Sequence, residues 1–167
     1  MSVMIRGARP GDGDGIARAW LSAGEYYADL DPAHFQVPES QGLAELFEKG
    51  MGSGGDDALE LVAELDGRVV GWLFARLEWP HEDAPSQFVR EQSWTRVVVD
   101  ALVVDRPVWR RGVGTALLGA AEAWARDRGA EVVRLDTYAE SPVSVPFYER
   151  MGYARRSIVF QKHLPDE

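Results

Sequence analysis

The residues best suited to chemistry stand together at Arg110-Arg111-Gly112-Val113-Gly114-Thr115. A helix start leaves backbone N–H groups without intrahelical partners, and the helix dipole adds partial positive charge there. Glycines let a ligand approach that backbone, so this segment supplies a cradle for a polyanion such as a pyrophosphate. Two arginines add local counter-charge, and Thr115 adds a small hydroxyl. Read by itself, the same stretch also fits a glycine-kinked strand–helix turn carrying solvated arginines.

The elements around it must hold the turn in place. Thr95 to Val104 is strongly β-branched and reads as the clearest strand. Beyond the turn, Val113, Leu117, Ala121, Trp124 and Ala125 share one helical face, and Arg126, Arg128 and Gly129 close that helix. Upstream, Ser2 to Ala8 suggests a strand, Asp14 a cap for a helix from Gly15 to about Ala23, and Leu43 to Met51 a short helix. Tyr26 to Ser40 reads as a loop or broken helix. Leu59 to Glu64 and Val69 to Leu77 form a hairpin about Asp66-Gly67, followed by an exposed polar loop, Glu78 to Gln92. Downstream, Glu131 to Thr137 is a strand, Pro142 sits in the first turn of a short helix ending near Met151-Gly152, and Tyr153 to Leu164 is a final strand. This order predicts an α/β (α+β) domain with a mixed sheet.

Bulk properties narrow the chemistry. The 167 residues suit one domain, 1–167, with a sizeable core. Cysteine is absent, which removes thiolate metal sites and a cysteine nucleophile, and His34, His81 and His163 lack ligand-like spacing, so no metal is expected. A net charge of −9 opposes nucleic-acid binding, while suiting cationic partners such as amines. No apolar run reaches membrane-spanning length, and residues 1–10 lack a signal-peptide order, so a cytoplasmic protein with no membrane partner is expected. A second glycine cluster, Gly50-Met51-Gly52-Ser53-Gly54-Gly55, matches the dinucleotide fingerprint. It follows a helical segment and precedes Asp56-Asp57, so it reads as a linker.

Val103 to Tyr153 resembles the GNAT superfamily of acyl-CoA-dependent N-acetyltransferases. The resemblance is carried by W109-R-R-G-V-G114, by F147-Y148 and by M151-G-Y153, in family order and at family-like spacing. It implies a mixed, mostly antiparallel sheet flanked by helices. It also implies acetyl-CoA as cosubstrate and an amine acceptor attacking it directly; members of the family are monomers or dimers, and of the two a homodimer is expected here. Trp109 stands where the family has Gln or Arg, and Ser141 where an asparagine is frequent.

Carried over residue by residue, the resemblance implies that Trp109, Arg110, Arg111, Gly112, Val113, Gly114 and Thr115 bind the pyrophosphate. Leu102, Val103 and Val104 would pair with the pantetheine amides, and Ser144 would join the cofactor site. Tyr148 matches the tyrosine that protonates the leaving thiolate, a task a phenol can perform at neutral pH. Asp100 interrupts an apolar strand. If buried, its pKa would be raised and would suit a general base; if on a half-exposed strand, it would simply face solvent. Glu78, Glu82 and Glu91 are further carboxylates nearby. Tyr26, Tyr27 and Phe35 offer aromatic groups for the acceptor, or core contacts. An acyl-CoA-binding sensor without catalysis would keep the glycine turn and leave Tyr148 and Asp100 idle.

Overall fold

The first strand pairs with a hairpin that its own neighbours in sequence do not supply. In the computed structural model, which describes residues 2–166, β1 (Met4–Gly7) lies antiparallel to β2 (Ala58–Leu65). β2 turns at Asp66-Gly67 into β3 (Arg68–Glu78), and both turn residues have positive φ, as a tight two-residue hairpin demands. β4 (Arg96–Val104) continues the antiparallel order, and β5 (Val132–Leu135) adds a parallel edge, giving β1-β2-β3-β4-β5. The expected mixed, mostly antiparallel sheet is therefore present.

Helices cover both faces. α1 (Gly13–Leu30) and α2 (Leu43–Gly50) lie on one, where Ile16 and Ala19 pack with Val62, Trp72 and Val103, and Trp20 and Phe47 add edge-on ring contacts to Trp72. α3 (Val113–Asp127) lies on the other: a Cβ on Gly71, next to Trp72 in the strand, would stand 3.0 Å from both Val113 and Leu117. Each large side chain buried this way contributes roughly 1.5–3 kcal/mol. α1 presses so close to β3 that a Cβ on Gly15 would fall 2.5 Å from Cβ of Val69. Only glycine permits that approach.

α1 begins earlier and ends later than its sequence suggests. Asp14 lies inside its first turn rather than capping it. The N–H groups of Gly11 and Gly13 instead donate to the carboxylate of Glu48, brought from α2 at 2.6–3.1 Å. Asp12, just before the helix, is occupied by Arg6 and by the N–H of Arg9. Tyr26 to Leu30 remain helical, so only the following stretch is a loop. The Gly50–Gly55 cluster leads into a short 3-10 turn and β2, with no α-helix after it.

Chain contacts divide the protein into two compact units, Met1–Asp136 and Thr137–Glu167. The second holds α4 (Ser144–Arg150), which closes with Gly152 at φ +90° and with the Tyr153 N–H on the Tyr148 carbonyl at 3.0 Å. Pro142 precedes this helix instead of starting it; Pro146 occupies its first turn, where a missing N–H costs nothing. The final strand expected over Tyr153 to Leu164 is not formed. Its residues have β-propensity, but propensity needs a ladder partner, and Ile158, Val159 and Phe160 stand 79–90% exposed.

Candidate functional site

The site begins where β4 leaves β5. The parallel ladder runs from Arg96 opposite Val132 to Val99 opposite Leu135 and stops. On the other side of β4, Phe74 faces Ala101 and Ala75 faces Val99, so Asp100 is an extra, bulged residue. A bulge adds local twist and redirects the strand. Among the described residues, no strand of the sheet pairs with the β4 edge turned toward β5 from Asp100 to Val104.

The polarity of that edge follows from one bond. The N–H of Asp105 donates to the Val70 carbonyl at 2.8 Å, so the carbonyl of Val104, in the same peptide, points to the open side. Alternation then puts the Val104 N–H and both backbone groups of Leu102 on the open side, while those of Val103 face β3. Of the three strand residues implied to hold a cofactor, Leu102 and Val104 present their backbone to the open edge and Val103 buries its side chain in the core.

This edge runs into the glycine turn. Residues Arg106–Val108 form a short 3-10 turn, Arg110 takes a left-handed φ of +62°, and Gly112 takes +80° at the start of α3. The left-handed Gly112 costs little, whereas a side chain there is strained. No side chain caps α3, and the first intrahelical bond runs from the Ala116 N–H to the Gly112 carbonyl at 2.9 Å. The N–H groups of Val113, Gly114 and Thr115 thus precede the helical ladder, as an anion site requires. Arg110, Arg111 and Thr115 are exposed beside them, and Val113 anchors the turn in the core.

Trp109, implied to join the pyrophosphate site, instead directs its indole N–H to the strand edge and its ring to Tyr26 and Arg106. Its indole N–H donates to the Val104 carbonyl at 2.7 Å. Its ring meets Tyr26 edge-on at 5.0 Å, and the Arg106 guanidinium lies 5.6 Å from the centre of each ring. Tyr26 continues to Tyr27 at 5.0 Å and Tyr27 to Phe35 at 4.9 Å. These aromatics thus form one half-buried row from the loop after α1 to the glycine turn. Arg106 is held further by its N–H on the Ser22 hydroxyl at 2.9 Å and its guanidinium 3.7 Å from Asp29. Beside this row, a cleft of about 520 Å3 is lined by Asp14, Arg18, Ser22, Glu25, Asp105 and Arg106, among others.

Asp100 does not meet the expectation of a buried base. Its carboxylate is exposed and accepts two hydrogen bonds from Arg76, one of 3.0 Å from Nη2 and one from Nε. Arg76 also reaches Glu78 at 3.0 Å, and Glu78 reaches the buried Arg96 at 3.0 Å. The bond to Asp100, followed by Glu78, holds the Arg76 guanidinium more firmly protonated than an ordinary arginine. The carboxylate thus faces solvent and has both oxygens engaged by one guanidinium. Glu82 and Glu91 stay in the loop after β3, which forms two 3-10 turns. The sequence signal for this network was the alternation of Arg76 and Glu78 out of an apolar strand.

In the second unit, Ser144 and Tyr148 lie one turn apart on α4, four residues from each other. The Ser144 N–H donates to the hydroxyl of buried Ser141 at 3.0 Å, so Ser141 serves the start of the helix. Tyr148 contacts Phe147 and Tyr153 through ring edges at 5.1 and 6.1 Å. Among the described residues, no group of His, Cys, Asp or Glu is arranged to hold a metal ion. No helix among them is long and apolar enough to cross a membrane.

The β4 edge beyond the bulge thus leads directly to the start of α3, where no side chain caps the helix. The chain belongs to the acetyltransferase (GNAT) family, whose pattern matches residues 20–153. It is similar to the mycothiol acetyltransferase of Sanguibacter keddieii, with 30% identity over 167 residues covering 99% of this chain and 48% of that protein. It is also similar to the mycothiol acetyltransferase of Cellulomonas flavigena, with 36% identity over 103 residues covering 62% and 28%. The chain thus spans about half, or less, of the length of these relatives. In fold it is similar to a tetramutant of the BH1408 protein from Bacillus halodurans, with a TM-score of 0.80 and 18% identity, covering 96% of this chain and 99% of that one.

Proposed function

We propose that the protein transfers an acetyl group from acetyl-CoA to a primary amine of a small molecule or peptide, acting as one N-acetyltransferase domain over residues 1–167. The observation that carries this reading is the continuity of the open β4 edge with the glycine turn. A pantetheine arm is a chain with two amides, suited to the backbone groups of Leu102 and Val104. Its diphosphate suits the N–H groups of Val113, Gly114 and Thr115, with Arg110 and Arg111 as counter-charge.

The amine attacks the thioester carbonyl carbon, and the C–S bond breaks as the new C–N bond forms. Backbone N–H groups at the bulge and at Leu102 stabilise charge on the carbonyl oxygen. Tyr148 donates its phenolic proton to the departing thiolate and regains one from solvent. The amine loses its proton to water, because Asp100 is committed to Arg76. Asp100 serves instead by fixing the bulge. The cleft beside the aromatic row holds Asp14, Glu25 and Asp105 against Arg18, which pairs with Asp105 at 3.4 Å, and Arg106; the one carboxylate in excess supports an acceptor that carries positive charge.

The test is thiol release from acetyl-CoA with a panel of amines, alongside the thermal shift produced by acetyl-CoA. Turnover with at least one amine is expected. A stabilising shift without turnover on any amine would instead support an acyl-CoA-binding module.

A further inference from the structure

The bond between Trp109 and Val104 has a consequence for the cofactor edge. A chain laid along β4 as an added strand would donate N–H groups to the outward carbonyls and accept from the outward N–H groups. Val104 offers the outward carbonyl nearest the glycine turn. That carbonyl already accepts the indole N–H of Trp109 at 2.7 Å. The indole is held by its ring contact with Tyr26 at 5.0 Å and by Arg106 at 5.6 Å, so little freedom is lost in keeping the bond. It satisfies a strand-edge group that would otherwise attract a partner.

We infer that Trp109 is an internal competitor: its indole N–H takes one lone pair of the outward carbonyl, on the side from which an amide N–H of the acyl-CoA arm would approach, and so lowers affinity for the arm while stabilising the free protein. This rests on the acyl-CoA reading of the open edge. The ligand class concerned is the pantetheine amide arm, as opposed to the nucleotide end, which meets the glycine turn. Trp109 is in this respect a positioning residue that sets how the arm is seated.

Two variants remove the donor. Trp109→Phe keeps an aromatic ring against Tyr26 and Arg106. Placing 3-benzothienylalanine at position 109 keeps the bicyclic shape and exchanges only N–H for sulfur, which guards against a loss of packing. Titration calorimetry would measure binding of acetyl-CoA and of 3′-phospho-ADP, which lacks the arm, and thermal melts would report the free protein. The expected result is a lower melting temperature for the free variants and tighter acetyl-CoA binding by about three- to tenfold, the worth of one hydrogen bond. Binding of 3′-phospho-ADP stays unchanged. A merely structural tryptophan would weaken both ligands or leave both alone, and that outcome overturns the inference. So does an equal gain for both ligands. If the unaltered protein binds 3′-phospho-ADP but not acetyl-CoA, the competitor has no arm to exclude and falls. If it binds neither, the acyl-CoA reading itself fails, and the inference with it.

Discussion

Arg76 grips Asp100 at two points, Nη2 to Oδ1 at 3.0 Å and Nε to Oδ2, and Asp100 is the residue at which β4 bulges. The pair joins the central strand to the point where the sheet opens. A two-point guanidinium–carboxylate bond fixes both distance and plane, so it suits a structural task at a bulge.

Asp100→Asn should therefore leave the pH dependence of turnover in place. The amine must be unprotonated to attack, so rate should rise with pH through the pKa of whichever amine is used, in the variant as in the parent. The variant should lose about 0.5–1 kcal/mol of stability, since the pair is partly solvated. A pH–rate profile for two amines of different pKa checks this; loss of the rising limb would make Asp100 the base after all.

Gly112, at φ +80°, should tolerate no side chain. Gly112→Val should cost about 1–2 kcal/mol through left-handed strain alone. It should also weaken acetyl-CoA binding by at least tenfold, because the turn that presents the Val113 to Thr115 N–H groups relaxes. Denaturant melts and calorimetry separate the two effects. Unimpaired binding would move the diphosphate site away from this turn.

Tyr148→Phe should lower kcat by about a hundredfold, within the usual range for a proton donor to a leaving group. The acetyl-CoA dissociation constant should change little, since the phenol acts late in the reaction. Steady-state kinetics beside direct binding checks this. An equal loss in binding would assign Tyr148 to packing against Phe147 and Tyr153.

Acid should destabilise the protein through Asp12. Its carboxylate accepts from Arg6 at 2.7 and 2.9 Å and from the Arg9 N–H at 2.8 Å. The Arg6 bond, outweighing burial, holds its pKa below the ordinary 3.8. A depressed carboxylate pKa contributes stability that is complete above the unfolded pKa and is lost as pH falls through the folded one. The contribution should therefore be intact at pH 5 and above and decline below about pH 4. Asp12→Asn should lower stability by about 1–2 kcal/mol at pH 7, because the half-buried Arg6 guanidinium keeps Glu64, at 2.9 Å, as its one remaining carboxylate partner, and should flatten that acid limb. Urea melts from pH 3 to pH 7 on both proteins measure it.

Local rules made much of this legible beforehand. The Asp66-Gly67 hairpin, the apolar face of α3 and the glycine turn before it depend on backbone sterics and on spacings within one element. Such preferences act over a few residues, so the sequence by itself determined them, together with the sheet class and the family. What only the tertiary structure decided lies in pairs far apart along the chain. Glu48, not Asp14, serves the start of α1 across 35 residues, and Arg76 claims Asp100 across 24. The bulge arises from register between strands, and Tyr153 to Leu164 lacks the partner that its composition suggests. Trp109 shows the reason at the shortest range. Five residues separate it from Val104, yet its indole reaches that carbonyl only because the 3-10 turn folds back and Tyr26 and Arg106 from outside hold the ring. Hydrogen-bond partners are chosen by proximity in space, which spacing along one chain does not encode.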